Sequence, residues 1–178
     1  MRPRLLFLAG PNGAGKSTFF EAFLKESGLP FVNADRIAAA LGVSDAEAAA
    51  AADAARKQLL AEGMSFITET VFSDPVGAKL QFLRDAIGAD YHVTLFFVGL
   101  SSAQLSGARV SQRVRAGGHD VPPERLERRF RHSLANLGQA LTFVPEAHVY
   151  DNSSSDVPVS YTHLRAHETK ANLVCRLL

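Results

Sequence analysis

The stretch Gly10-Pro-Asn-Gly-Ala-Gly15-Lys16-Ser17-Thr18 constrains this chain more than any other. Four residues separate Gly10 from Gly15-Lys16-Ser17, which is P-loop spacing. An apolar run, Leu5 to Ala9, precedes the loop, and a helical pattern from Lys16 follows it. Glycines let backbone N–H groups turn toward phosphate oxygens that a Cβ would obstruct. Lys16 supplies a point charge to the β- and γ-phosphates. The Ser17 hydroxyl can ligate Mg²⁺, and the helix directs its positive end at the anion. Gly10, Pro11, Asn12, Gly13, Ala14, Gly15, Lys16, Ser17 and Thr18 are therefore expected around a nucleotide, with ATP and Mg²⁺ as cofactors. Thr18 is either a second hydroxyl near the metal or simply the next helical residue. A glycine-rich turn that only resembles the pattern is the alternative, and the strand before and helix after argue against it.

The rest of the chain alternates strand and helix. "FVNAD" reads as a short strand, and Ile37 to Leu41 as a brief helix. Ser44 with Glu47 forms a capping box for an Ala-rich helix that Gly63 ends. "SFITET" and the long apolar "YHVTLFFVGL" read as buried strands, and "HVYDN" as a final short one. Helices are expected from Lys16 to Glu26, with Phe19, Phe20 and Phe23 on one side. Others are expected from Pro75 to about Ile87, Ser101 to Arg115, and Glu124 to about Leu141. Ser73 is read as an N-cap near Pro75. The expected fold is α/β, a three-layer P-loop kinase-like domain with a parallel sheet of about five strands and an Arg-bearing helical lid.

The 178 residues suit one domain, and residues 1–158 are assigned to it. A hydrophobic fraction of 47% and a formal net charge of +1 give no sign of a nucleic-acid or membrane partner. No apolar run approaches the roughly 20 residues that span a bilayer. Cys175 is the single cysteine, so no disulfide framework can form within the chain. The expectation is a cytoplasmic protein.

Residues 159–178 break the pattern of the chain. The constant part of a common transposase sequencing adapter translates to Val159 through Thr169. The block after its variable index translates to Asn172 through Leu178, and only Lys170 and Ala171 fall wholly in the index. This segment is read as a non-native, adapter-encoded tail, with the natural chain continuing differently past about Pro158. The tail's His163, His167 and Cys175 are for the same reason not read as a metal site.

Two P-loop classes are excluded. A transport ATPase needs an apolar run ending in Asp-Glu, and "HVTLFFVGL" ends without an acid. A GTPase needs an Asn/Thr-Lys-x-Asp motif, and none is present. The plan of a small kinase remains, in which ATP and acceptor meet over strand ends and lid arginines close on the phosphates. Over about Leu5 to Asn152 the chain resembles the zeta-toxin family of kinases. "LAGPNGAGKST", "VNADRIA", "ETVFS", "RVSQRVRAGGHDVP", "ERRFRHSLANL" and "VYDNS" carry the resemblance. It implies transfer of the ATP γ-phosphate to a hydroxyl of a UDP-N-acetylglucosamine-type sugar, and an antitoxin protein as a possible partner. The lid "GGHDVP" departs from the family's. The rival function is an ATPase or regulatory switch without a small-molecule acceptor.

Asp35 follows a strand that ends near the γ-phosphate. It can act as base toward the acceptor, and the resemblance matches it to the family's catalytic Asp. Its alternative is a helix N-cap. Glu69 and Thr70 end the third strand, where ligands of open α/β sheets bind. By resemblance Glu69 contacts the acceptor, and a structural capping role is its alternative. Arg109 and Arg113 lie one helical turn apart and suit a shared phosphate group. Arg129 is the third choice among the arginines of the next helix. His119 in the glycine-rich loop is either a substrate contact or an ordinary loop histidine. Tyr150, Asp151 and Asn152 are placed near the adenine by analogy alone.

Overall fold

The computed structural model describes residues 2–115 and 122–154, together with the backbone of residues 159–165. Its strands are β1 (Arg4–Ala9), β2 (Phe31–Val32), β3 (Phe66–Thr70), β4 (His92–Gly99), β5 (Glu146–Asp151) and β6 (Val159–Arg165). Its α-helices are α1 (Lys16–Phe19), α2 (Ala34–Leu41), α3 (Asp45–Ala61), α4 (Ala78–Gly88), α5 (Ala103–Arg115) and α6 (Pro123–Ala140). One sheet runs β2-β3-β1-β4-β5-β6. The first five strands are parallel, as the alternation of strand and helix requires.

β1 is central, and Leu5, Phe7, Leu8 and Ala9 are buried because helices cover both faces of a parallel sheet. After β1 the chain builds β2 and β3 on one side and β4 and β5 on the other. That reversal opens a crevice at the carboxyl ends of the strands, where open α/β sheets bind ligands. The register sets Leu8 beside Glu69 and Ala9 beside Thr70, so the ends of β1 and β3 face the crevice together.

The alanine-rich α3 is ordered as its propensity requires. Its capping box is present, with Ser44 and Glu47 exchanging side-chain and backbone bonds. Ala48 and Ala52 are fully buried, and their small side chains let α3 approach closely. Behind it the Tyr91 hydroxyl donates toward the carbonyls of Leu59 and Met64, each at 2.9 Å.

Three local expectations need correction. α1 passes into a π-turn over Phe20–Leu24 and a 3₁₀ turn over Lys25–Ser27. The wider turn shifts the later positions around the axis. Phe19 and Phe20 are buried, but Phe23 is 62% exposed. α4 begins at Ala78 rather than near Pro75, after Gly77 in the left-handed region (φ 74°). Asp74, not Ser73, offers its carboxylate to that first turn, accepting from Lys79 N at 3.3 Å. Finally, β5 is not the last strand: residues 159–165 form β6, antiparallel to β5. An uncovered sheet edge presents unpaired N–H and C=O groups to any extended segment, so pairing there needs little from the sequence. Gly117, Gly118, His119 and residues 166–178 lie outside the described residues.

Candidate active site

A cleft of about 960 Å³ opens at the carboxyl ends of the strands. Asn12, Gly13, Gly15, Lys16, Ser17 and Thr18 form its floor. Asp35, Glu69 and Thr70 line the side toward β2 and β3, and Arg109, Arg113 and Arg129 come from α5 and α6. The structure thus brings together twelve of the residues expected from sequence. Gly10, Pro11 and Ala14 shape the loop without lining the cleft. Gly10 has φ +145°, and a Cβ there would lie 2.1 Å from the Val98 carbonyl oxygen. Only glycine lets the chain leave β1 so close to β4. His119 lies outside the described residues.

Lys16 is 7% exposed. Its ammonium donates to the Pro11 carbonyl at 3.1 Å and lies 3.8 Å from a Glu69 carboxylate oxygen. Burial pulls the Lys16 ammonium below the ordinary lysine range; Glu69 and then Asp35 oppose that, and Arg113 adds to it. A buried cation of this kind is the natural partner of a polyphosphate. Ser17 opens the first turn of α1 and sits at the cleft surface beside Lys16. A hydroxyl there, with the carboxylates of Asp35 and Glu69 lining the same cleft, is of the hard-oxygen kind that Mg²⁺ takes as ligand. Among the described residues no group of three or more His, Cys, Asp or Glu side chains is poised to hold a metal by itself.

The alternative roles for both acids do not match the geometry. Asn33, not Asp35, is the N-cap of α2, accepting from Arg36 N at 2.8 Å. Asp35 is left in the first turn, facing the cleft. Glu69 caps no helix; it accepts from the Asn33 amide at 2.9 Å. Asn33 is buried and serves both acids, fixing the start of α2 with one atom and orienting Glu69 with another. The sequence reading missed it, although an Asn two residues before a first-turn Asp is a legible cap signal.

Sequence reasoning also underweighted the far wall. Arg125, Arg128 and His132 join Arg129 in lining the cleft, whereas Arg131 pairs with Glu127 at 2.9 Å on the surface. Burial, then the neighbouring Arg125, holds the Arg129 guanidinium below its usual range, with Asp45 and Asp35 opposing. Below them Asp53 bridges Arg56 and Lys79. Arg56 also donates to the Thr68 hydroxyl at 3.1 Å, tying α3 to β3. The loop after β3 is held under strain: Phe72 has φ 61°, a region unusual for a bulky side chain. The buried Asn136 of α6 pins it, donating to the carbonyls of Phe72 and Asp74 at 3.0 Å each.

A central parallel sheet, a phosphate cradle between β1 and α1, and arginines brought over it by later helices define a P-loop kinase-like protein. Residues 1–158 match the family model for zeta toxin, and the chain belongs to the zeta toxin family. A Haemophilus influenzae protein described only as uncharacterized is 25% identical over 136 residues, spanning 73% of this chain and 94% of its own. Among solved structures, one from work on the PezAT chromosomal toxin-antitoxin system of Streptococcus pneumoniae is similar, with TM-score 0.72 and 15% identity. That match covers 99% of this chain and 77% of the other. A structure of AvrRxo1-ORF1:-ORF2 with ATP matches with TM-score 0.71 and 19% identity, over 93% of this chain and 59% of the other. At these identities the structural likeness is one of fold. None of the helices among the described residues is long and apolar enough to cross a membrane.

Proposed function

We propose that the protein is an ATP-dependent kinase that transfers the γ-phosphate to a hydroxyl of a small acceptor, by family a UDP-N-acetylglucosamine-type nucleotide sugar. One observation carries this reading. Asp35 and Glu69 share a cleft with the cradle and its lysine, and an ATP-binding switch has no need of two acids on the acceptor side. The cationic wall of Arg125, Arg128 and Arg129 suits an acceptor that itself carries phosphate. The ATP complex of the AvrRxo1 relative and the toxin-antitoxin origin of the PezAT relative support ATP as donor and an antitoxin as partner.

In this mechanism the cradle and Lys16 hold the β- and γ-phosphates. Arg113 and Arg109 meet the charge spread over the transferred group. Mg²⁺, when bound at Ser17, neutralises phosphate charge. Glu69 and Thr70 orient the acceptor. Its hydroxyl oxygen attacks phosphorus as the bond to the bridging oxygen breaks, ADP leaves with that electron pair, and Asp35 takes the hydroxyl proton.

The test is transfer of labelled γ-phosphate from ATP to a panel of UDP-sugars and other hydroxyl metabolites, with Lys16→Ala as control. A labelled acceptor that disappears with Lys16→Ala is expected. Release of inorganic phosphate alone across the panel would favour the ATPase reading.

A further inference from the structure

We propose that Ser106 and Asn152 are positioning residues that set the phosphate cradle from outside the cleft, aiming the N–H groups of Gly13 and Gly15 at the bound phosphates. The proposal rests on the nucleotide-binding reading of the cleft, and on no acceptor.

The argument starts from the peptide plane. In a trans peptide the C=O and the following N–H point in opposite directions. A donor that holds one loop carbonyl therefore aims the next N–H away from itself. Two side chains do this to alternate peptides of the loop. The Ser106 hydroxyl donates to the Asn12 carbonyl at 2.7 Å, and the Asn152 amide donates to the Ala14 carbonyl at 2.9 Å. The peptides they hold carry the N–H groups of Gly13 and Gly15. Both glycines line the cleft, while neither Ser106 nor Asn152 does. The two side chains thus grip the outer side of the loop. The intervening N–H, of Ala14, is directed elsewhere, to the Pro11 carbonyl at 3.3 Å.

Both donors are themselves held. Ser106 is 1% exposed on α5. That helix lies directly on the loop: a Cβ on Gly13 would come within 3.0 Å of the Ser106 carbonyl oxygen. Asn152 follows β5, and its N–H donates to the Gly99 carbonyl at 3.0 Å. Asp151 accepts from Ser153 N at 2.8 Å, closing a turn that presents the Asn152 side chain. Asn152 packs so tightly that a Cβ on Gly15 would lie 2.6 Å from its amide nitrogen. The chain separations, 94 and 138 residues, make both contacts products of the completed fold. α5 also carries Arg109 and Arg113, so one helix sets the loop and delivers the guanidinium groups that face it.

The test is binding of inorganic pyrophosphate and of ATP to the full chain and to Ser106→Ala, Asn152→Ala and Asn152→Asp, with thermal midpoints alongside. Removing either donor is expected to weaken pyrophosphate and ATP alike by roughly 3- to 10-fold, the net worth of one hydrogen bond. Asn152→Asp separates positioning from packing. It keeps the shape but sets a carboxylate against the Ala14 carbonyl, so its loss should exceed that of Asn152→Ala. If Asn152 only fills space, Asn152→Asp binds like the parent and the proposal fails. Pyrophosphate affinities within twofold of the parent in both alanine variants overturn it as well. Should Ser106→Ala not fold, the half-exposed Asn152 pair decides alone. If the parent chain itself does not bind pyrophosphate, the nucleotide reading falls and this inference with it. A chain that binds pyrophosphate but phosphorylates no acceptor leaves the inference standing.

Discussion

Asp35 and Lys16 make the sharpest claims at the scale of single residues. Because Asn33 caps α2, Asp35→Asn should fold normally. It should keep its ATP affinity and lose transfer by about 10²–10⁴-fold, the contribution of a positioned base. Near-normal transfer, measured with affinity on the same preparation, would remove Asp35 from the chemistry. Lys16 carries a pH dependence. Burial holds its pKa below the ordinary lysine range, and phosphate oxygens beside it would raise that pKa on binding. Between the lowered pKa of the free protein and the raised one of the complex, binding takes up a proton. ATP affinity should therefore be highest below that range and fall as pH rises through it. Lys16→Arg, which stays charged, should flatten the alkaline fall whatever its absolute affinity; an unchanged alkaline limb in that variant would assign the effect to another group.

Elements rather than residues shape the side of the cleft assigned to the proposed acceptor. The loop after β3 holds Phe72 in a costly backbone conformation, and α6 maintains it through Asn136. Strain of this kind persists only where surrounding structure imposes it. Asn136→Ala leaves two carbonyls without that donor, at about 1–3 kcal/mol for each one left unsatisfied. It should lower the thermal midpoint and raise the acceptor KM more than the ATP KM, since the loop lies beyond Glu69 and Thr70 and away from the cradle. Equal changes in both constants would mean that α6 supports the whole cleft. The arginine helices were legible in part. Arg109 and Arg113 share a face by spacing alone, and both line the cleft. Arg125 and Arg128 could not be told from solvated charges, because one face of a helix looks like another until its neighbour is known. The cradle was legible because its chemistry is contiguous. Asn33 and Ser106 were not singled out, and Asn152 was placed beside the adenine by analogy rather than on the Ala14 carbonyl it holds, because each works through a backbone or side-chain partner far away in the chain.

At the scale of the whole molecule, five parallel strands followed from the alternation of apolar runs, while the sixth came from a segment with no pattern to read. We propose that residues 159–178 are no part of the family domain, whose match ends at Pro158. Among the described residues β6 pairs with β5, and β4 and β5 separate it from β1; its link to the β1 loop runs through Asn152, which follows β5 and keeps its own bond to the Gly99 carbonyl. Deleting Val159 to Leu178 should leave ATP affinity unchanged, and a large loss of affinity in a folded product would tie the tail to the site. The crowding of Gly10 against the Val98 carbonyl has a consequence for engineering. A nine-residue signature grafted into another strand–helix unit would bring the right side chains but not the bend that arranges them, because that bend is moulded by a neighbouring strand's backbone. The heritable unit is the strand pair with its loop, and a transplant succeeds or fails on what lies next door.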